Sequence, residues 1–156
     1  MSRRNSIAQM HPEMIEWRRE LHKYPATAFD EEFASQFIEK KLNEWNIEHK
    51  TGYGKTGIMA VVEGEKNTSN LSIGLRADLD ALDILENSGQ PWASKIDGKM
   101  HGCGHDGHMT MLLGAAKYLK DNPHFDGKAV FIFQPAEECL QGAREMIKDG
   151  ALKDFP

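Results

Sequence analysis

"AVFIFQPAEE", residues 129–138, is the stretch whose reading decides the fold. Ala129 to Phe133 are apolar without a break, where a half-exposed strand would alternate with polar residues. A short unbroken run rich in β-formers predicts a strand buried on both faces, as in a parallel or mixed sheet covered by helices. The run ends at Gln134-Pro135, and two carboxylates, Glu137 and Glu138, follow almost at once.

The neighbouring segments support that sheet. Residues 71–75 predict a strand that delivers Arg76-Ala77-Asp78-Leu79-Asp80 at its carboxyl end, and residues 58–63 predict another. Helices are predicted over 12–22, with Met14, Ile15, Trp17 and Leu21 at helical spacing, and over 30–45, with Phe33, Phe37, Ile38, Leu42 and Trp45 on one stripe. The acids Asp30, Glu31 and Glu32 stand at the positive end of that second helix. A third helix is predicted from Gly107 to about residue 120, and a last one over 142–149, closed by Gly150. Residues 52–57 read as a loop, and 88–99 as a surface excursion rich in turn formers. The expected fold is α/β: a mixed, mostly parallel sheet with helices on both faces. In such sheets ligands gather beyond the carboxyl ends of the strands.

Composition narrows the function. The 156 residues suit one domain with a sizeable core, at 40% hydrophobic and 28% charged. A formal net charge of -5 argues against nucleic acid as partner, because phosphate binding favours a basic face. No apolar run is long enough to span a membrane, and the first residues lack the apolar stretch of a secretory signal. Two cysteines are too few for a disulfide framework. A cytoplasmic setting is expected.

Chemistry concentrates in three places. "HGCGHDGH", residues 101–108, puts three histidines, a cysteine and an aspartate into one glycine-rich turn ahead of a helix. Thiolate, imidazole and carboxylate together suit zinc and its first-row neighbours, and glycines let ligands two residues apart face one ion. A helix N-terminus would also favour the Cys103 thiolate. A plain turn with surface histidines is the alternative. Glu137 and Glu138 are either a solvated acidic loop or a held pair, one on a cation and the other free for proton transfer. Asp78 and Asp80 either orient a ligand histidine or, for Asp78, pair with Arg76 on the surface. His11, His22, His49 and His124 read as surface residues, and Cys139 as a bystander.

These pieces resemble the M20 metallopeptidase family. The resemblance rests on Arg76 to Leu82, on Met100 to His108 and on Gln134 to Glu138, with Trp17-Arg18-Arg19-Glu20-Leu21-His22 matching its N-terminal helix. The closest branch is the amidohydrolases acting on N-acyl amino acids, hippurate and auxin–amino acid conjugates. Gly102, Asp83 and Cys139 stand where that family usually has alanine, proline and glycine. The resemblance implies a zinc-peptidase-like catalytic domain with two divalent ions (zinc, manganese, nickel or cobalt). Cys103, His105 and Glu138 would be ligands, Glu137 the general base and Asp78 a supporting catalytic residue. It further implies that residues 1–156 are the N-terminal part of that domain. The rest of the domain, further histidine ligands and a smaller dimerisation and lid domain would lie beyond this sequence, and longer relatives would form homo-oligomers. The ending Ala151 to Pro156 reads as the approach to another strand, and a fragment is expected.

Two other readings compete with the amide hydrolase. One is a catalytically inactive metal-binding remnant that keeps three ligands. The other is a cysteine hydrolase pairing Cys103 with His105 or His108, although residues so close on a glycine turn rarely align as nucleophile and base.

Overall fold

The computed structural model describes residues 3–155. In chain order the elements are α1 (Arg3–Lys23), α2 (Glu32–Glu44), β1 (Glu48–Tyr53), β2 (Gly57–Glu63), β3 (Ser72–Asp78), α3 (His105–Asp121), β4 (Lys128–Gln134), α4 (Gly142–Lys148) and α5 (Ala151–Asp154). The strands form one sheet of order β1-β2-β4-β3, so the apolar run lies in an interior strand.

Both faces of β4 are covered, which explains why its sequence does not alternate. Ala129, Phe131 and Phe133 pack with Trp17 and Leu21 of α1, Ile38 and Leu42 of α2, and Met109 and Leu113 of α3. On the other face Val130 and Ile132 join Met59 of β2, Met146 of α4 and Ala151 of α5. Each fully buried aromatic or aliphatic side chain contributes roughly 1.5–3 kcal/mol, so this two-sided packing is the main source of order in the sheet.

The sheet is mixed, but less parallel than the expected "mostly parallel" one. β3 and β4 pair in parallel, whereas β1–β2 and β2–β4 are antiparallel. A parallel neighbour needs a long crossover, and α3 supplies one between β3 and β4. β1 and β2 are joined only by the tight turn around Lys55, which forces a hairpin.

Other boundaries moved for local reasons. α1 begins at Arg3 and runs through Pro12, which was expected to open it. β1 was not foreseen, because Glu48–Tyr53 is polar and only Tyr53 is buried. α3 starts at His105, two residues before the predicted glycine, so His105 and His108 are helical. The excursion over 83–99 is irregular, and its ends are pinned by paired hydrogen bonds between Leu82 and Met100, both at 3.0 Å. The final residues turn into α5 rather than extending toward a strand. No helix among the described residues is long and apolar enough to cross a membrane.

α4 begins hard against the end of β4. A Cβ on Gly142 would lie 1.5 Å from the Pro135 carbonyl oxygen, and the Gly142 N–H donates to the Ala136 carbonyl at 3.1 Å. Backbone cannot retreat there without dragging the Pro135–Glu138 segment. Gly142→Ala should therefore lower unfolding free energy by about 3 kcal/mol in urea titration. An unchanged midpoint would show that the two segments are not in contact.

Candidate metal centre

The parallel register of β3 and β4 builds the site. Asp78 lies opposite Gln134, and the Leu79 N–H donates to the Gln134 carbonyl at 2.8 Å, so the strands end side by side. Asp80 and Glu137-Glu138 therefore emerge together. α3 packs back over β3, which brings its N-terminus to the same rim. Gly104 adopts φ +80 just ahead of that helix, a left-handed conformation that costs glycine little.

Three of the expected residues lie together. The ligand atoms of Cys103, His105 and Glu138 all lie within 4.8 Å of one another. Glu137 stands beside them: its Oε2 is 3.9 Å from His105 Nε2, and Glu138 Oε1 is 3.8 Å from the same nitrogen. His105 is buried, whereas Cys103 and Glu138 are exposed on the rim.

Asp80 holds the group together. Its carbonyl accepts the His105 Nδ1–H at 2.7 Å, which leaves Nε2 as the nitrogen open toward the carboxylates. Its carboxylate accepts the Glu138 N–H at 2.9 Å and lies 3.5 Å from His105 Nδ1. Burial opposes charge on His105, but its bonds to Asp80 outweigh burial and raise its pKa to about 9. Burial likewise pushes the Asp80 carboxyl up, while the His105 and backbone hydrogen bonds win and leave it lowered. The Cys103 thiol is pushed up, first by its hydrogen bond to Glu138 and then by burial and the nearby acids, so the helix terminus does not by itself hold it as a thiolate.

This donor set fits a first-row divalent cation. Thiolate, imidazole and carboxylate are good ligands for zinc, manganese, nickel and cobalt, and a cation would offset the crowding of acids. Asp80 Oδ1 is buried and meets His105 Nδ1 at a long 3.5 Å, which leaves its negative charge weakly compensated. Asp78 does make the ion pair with Arg76, Nε to Oδ1 at 3.1 Å. It also forms a second possible trio with His105 and His108. Because His105 Nδ1 is committed to Asp80, its one open nitrogen cannot serve both trios.

The sequence did not reveal the partners that brace the site from behind. His22, expected on the surface, is buried, with Nδ1 2.7 Å from Asp106 Oδ2 and Nε2 3.2 Å from Glu86. Arg18 reaches the same Asp106 oxygen at 2.7 Å. Asp106 therefore faces α1 rather than the Cys103 side. His101 is buried with an unpartnered Nδ1, and burial pulls its pKa down to about 4. The spacing of Arg18 and His22 on one helix face is the only local signal of this pairing. Cys139 is exposed, and His124 is a surface residue paired with Glu65.

The model of peptidase family M20/M25/M40 matches residues 74–156, a span holding Asp78, Cys103, His105, Glu137 and Glu138. The chain belongs to this family. It is 43% identical over 149 residues to the hippurate hydrolase of Campylobacter jejuni, covering 96% of this chain and 38% of that protein. It is 44% identical to an N-acetyl-L-cysteine deacetylase of Bacillus subtilis, covering 94% of this chain and 35% of the relative. Among solved structures it resembles the YXEP protein of Bacillus subtilis, described as a dinuclear metal binding peptidase from the M20 family. That likeness has a TM-score of 0.87 at 39% identity and covers 93% of this chain and 41% of that one. The chain thus spans less than half the length of these M20 relatives.

Ligation requires neutral His105 and deprotonated Cys103, and both groups hold their protons above the usual range. Protons therefore compete with metal at neutrality, and affinity must rise with pH. Cobalt titrations should show affinity increasing by at least about tenfold per unit between about pH 6 and pH 8. A flat profile would exclude these two groups as ligands.

Proposed function

We propose that this chain is the N-terminal part of an M20 catalytic domain that hydrolyses the amide bond of N-acyl amino acids with two divalent metal ions. Cys103, His105 and Glu138 are the ligands supplied here, and Asp78 supports them. The remaining ligands and the dimerisation and lid domain belong to the rest of the protein. The observation that carries this reading is Glu137 Oε2 standing 3.9 Å from His105 Nε2, beside the Cys103, His105 and Glu138 donor trio. When bound, the ions supply Lewis-acid polarisation of the scissile carbonyl and lower the pKa of a water.

The protein's own groups manage protons. Glu138 and Glu137 are adjacent like charges, and engagement of Glu138 with a cation leaves Glu137 free as general base. Glu137 takes the proton of the attacking water and delivers it to the leaving amine. The family's hippurate hydrolase and N-acetyl-L-cysteine deacetylase members carry names of N-acylated amino acid substrates, which supports that substrate class. A cysteine nucleophile is disfavoured, because the surrounding acids raise the Cys103 thiol instead of lowering it.

In a version extended to the length of its relatives, Glu137→Gln should reduce hydrolysis of N-acetyl and N-benzoyl amino acids by about 10²- to 10⁴-fold. Its metal content, measured by emission spectrometry, should stay near that of the parent. Undiminished turnover would remove Glu137 from the role of base, and loss of metal would make it a ligand instead.

A further inference from the structure

Glu31 is completely buried at the start of α2, and its side chain turns away from its own helix. Its Oε1 accepts the Phe29 N–H and the Ala136 N–H, each at 3.0 Å, and its Oε2 accepts the Thr56 hydroxyl at 2.6 Å. One carboxylate thus ties the entry to α2, the β1–β2 turn and the residue immediately before Glu137. Ala136 has φ +50, a left-handed conformation that a residue with a Cβ adopts only when its surroundings impose it. Released from that conformation, the chain would leave β4 in another direction, and Glu137 and Glu138 would point elsewhere.

We propose that Glu31 is a positioning residue of the metal centre: it clamps Ala136 in its left-handed turn and so aims Glu137 and Glu138 at His105. The turn is held at both ends, by Glu31 on the Ala136 N–H and by Asp80 on the Glu138 N–H. Glu31 touches neither a donor atom nor the reacting groups, so it acts through the backbone alone. It has this role only if Cys103, His105 and Glu138 hold metal, as proposed above. Burial pushes the Glu31 carboxyl up and leaves it raised, against the pull of the Thr56 hydroxyl and of the Ala136, Glu31 and Phe29 N–H groups. The feature shared by its charged and neutral forms is the Oε1 acceptor facing Ala136.

That distinction makes the clamp testable by comparing isosteres. Glutamine keeps an Oε1 acceptor for both backbone N–H groups, and its amide can donate to the Thr56 oxygen. Aspartate keeps the charge but withdraws the acceptor by one methylene, and leucine removes the acceptor altogether. Cobalt(II) is titrated into the chain and the cobalt–thiolate charge-transfer band recorded, with circular dichroism checking the fold. Glu31→Gln should bind within about threefold of the parent, and Glu31→Asp and Glu31→Leu at least about tenfold more weakly, the range seen when outer-sphere partners of metal ligands are removed. Where the leucine variant does not fold, the aspartate variant carries the comparison. Parental affinity in folded Glu31→Asp overturns the clamp, as does Glu31→Gln weakened as much as Glu31→Asp. A parent chain without the band, or a band that survives Cys103→Ser, removes the metal centre itself.

Discussion

The site depends on the hydrogen bond from the Leu79 N–H to the Gln134 carbonyl, the last rung of the parallel ladder between β3 and β4. It carries the strand pairing one residue past Asp78, so Asp80 leaves the sheet beside the residues that leave β4. From there Asp80 uses two acceptors on two partners: its carbonyl fixes the His105 ring, and its carboxylate fixes the Glu138 backbone. Two protein segments with no sequence proximity are thereby set against each other by one residue. The same bond to Nδ1 decides the tautomer, since it leaves Nε2 open toward Glu137 and Glu138.

Support from behind is of a different kind. Asp106 follows His105 and is wholly buried, with Arg18, His22 and the Gly107 N–H all on its carboxylate. An isolated buried carboxylate would be costly, but three donors within hydrogen-bond reach offset that desolvation. His22 extends the contact to Glu86, whose carboxylate also accepts the Ser94 N–H at 2.7 Å. α1, the start of α3 and the long excursion after β3 are therefore joined through one buried polar group. The residue after His105 is thus anchored to α1, while His105 itself is oriented by the Asp80 carbonyl.

Features that rest on local pattern were legible in the sequence. The unbroken apolar run of β4 and the stripe of α2 each state their burial within a few residues, and the glycine-rich turn marks its chemistry as plainly, whereas the choice of Cys103, His105 and Glu138 within it and beyond β4 came from the resemblance to the M20 family. Features that rest on long-range pairing were not. His22 looked like an ordinary surface histidine because its partners Asp106 and Glu86 are far along the chain. Glu31 looked like one of three acids favouring a helix N-terminus, whereas its carboxylate serves Ala136 and Thr56. β1 escaped notice because an edge strand with one buried side chain has no periodicity to read. The parallel share of the sheet was overestimated because an apolar run reports burial on both faces, and β4 gets that burial with an antiparallel neighbour on one side.

The electrostatics of the cluster argue for a cation on grounds independent of family. Asp78, Asp80, Glu137 and Glu138 converge on a rim whose nearby basic groups, among the described residues, include Arg76, already paired with Asp78, and the imidazoles of His105 and His108. Without metal, the acids raise both the His105 and Cys103 pKa values, which means protons are being recruited to balance the charge. A divalent ion would do the same with less protonation, since it replaces protons on exactly those donors that ligate it. The geometry also limits how many ions these residues can hold. With Nδ1 of His105 bound to Asp80, the two possible trios share a single open nitrogen, so His105 can ligate one ion and not two.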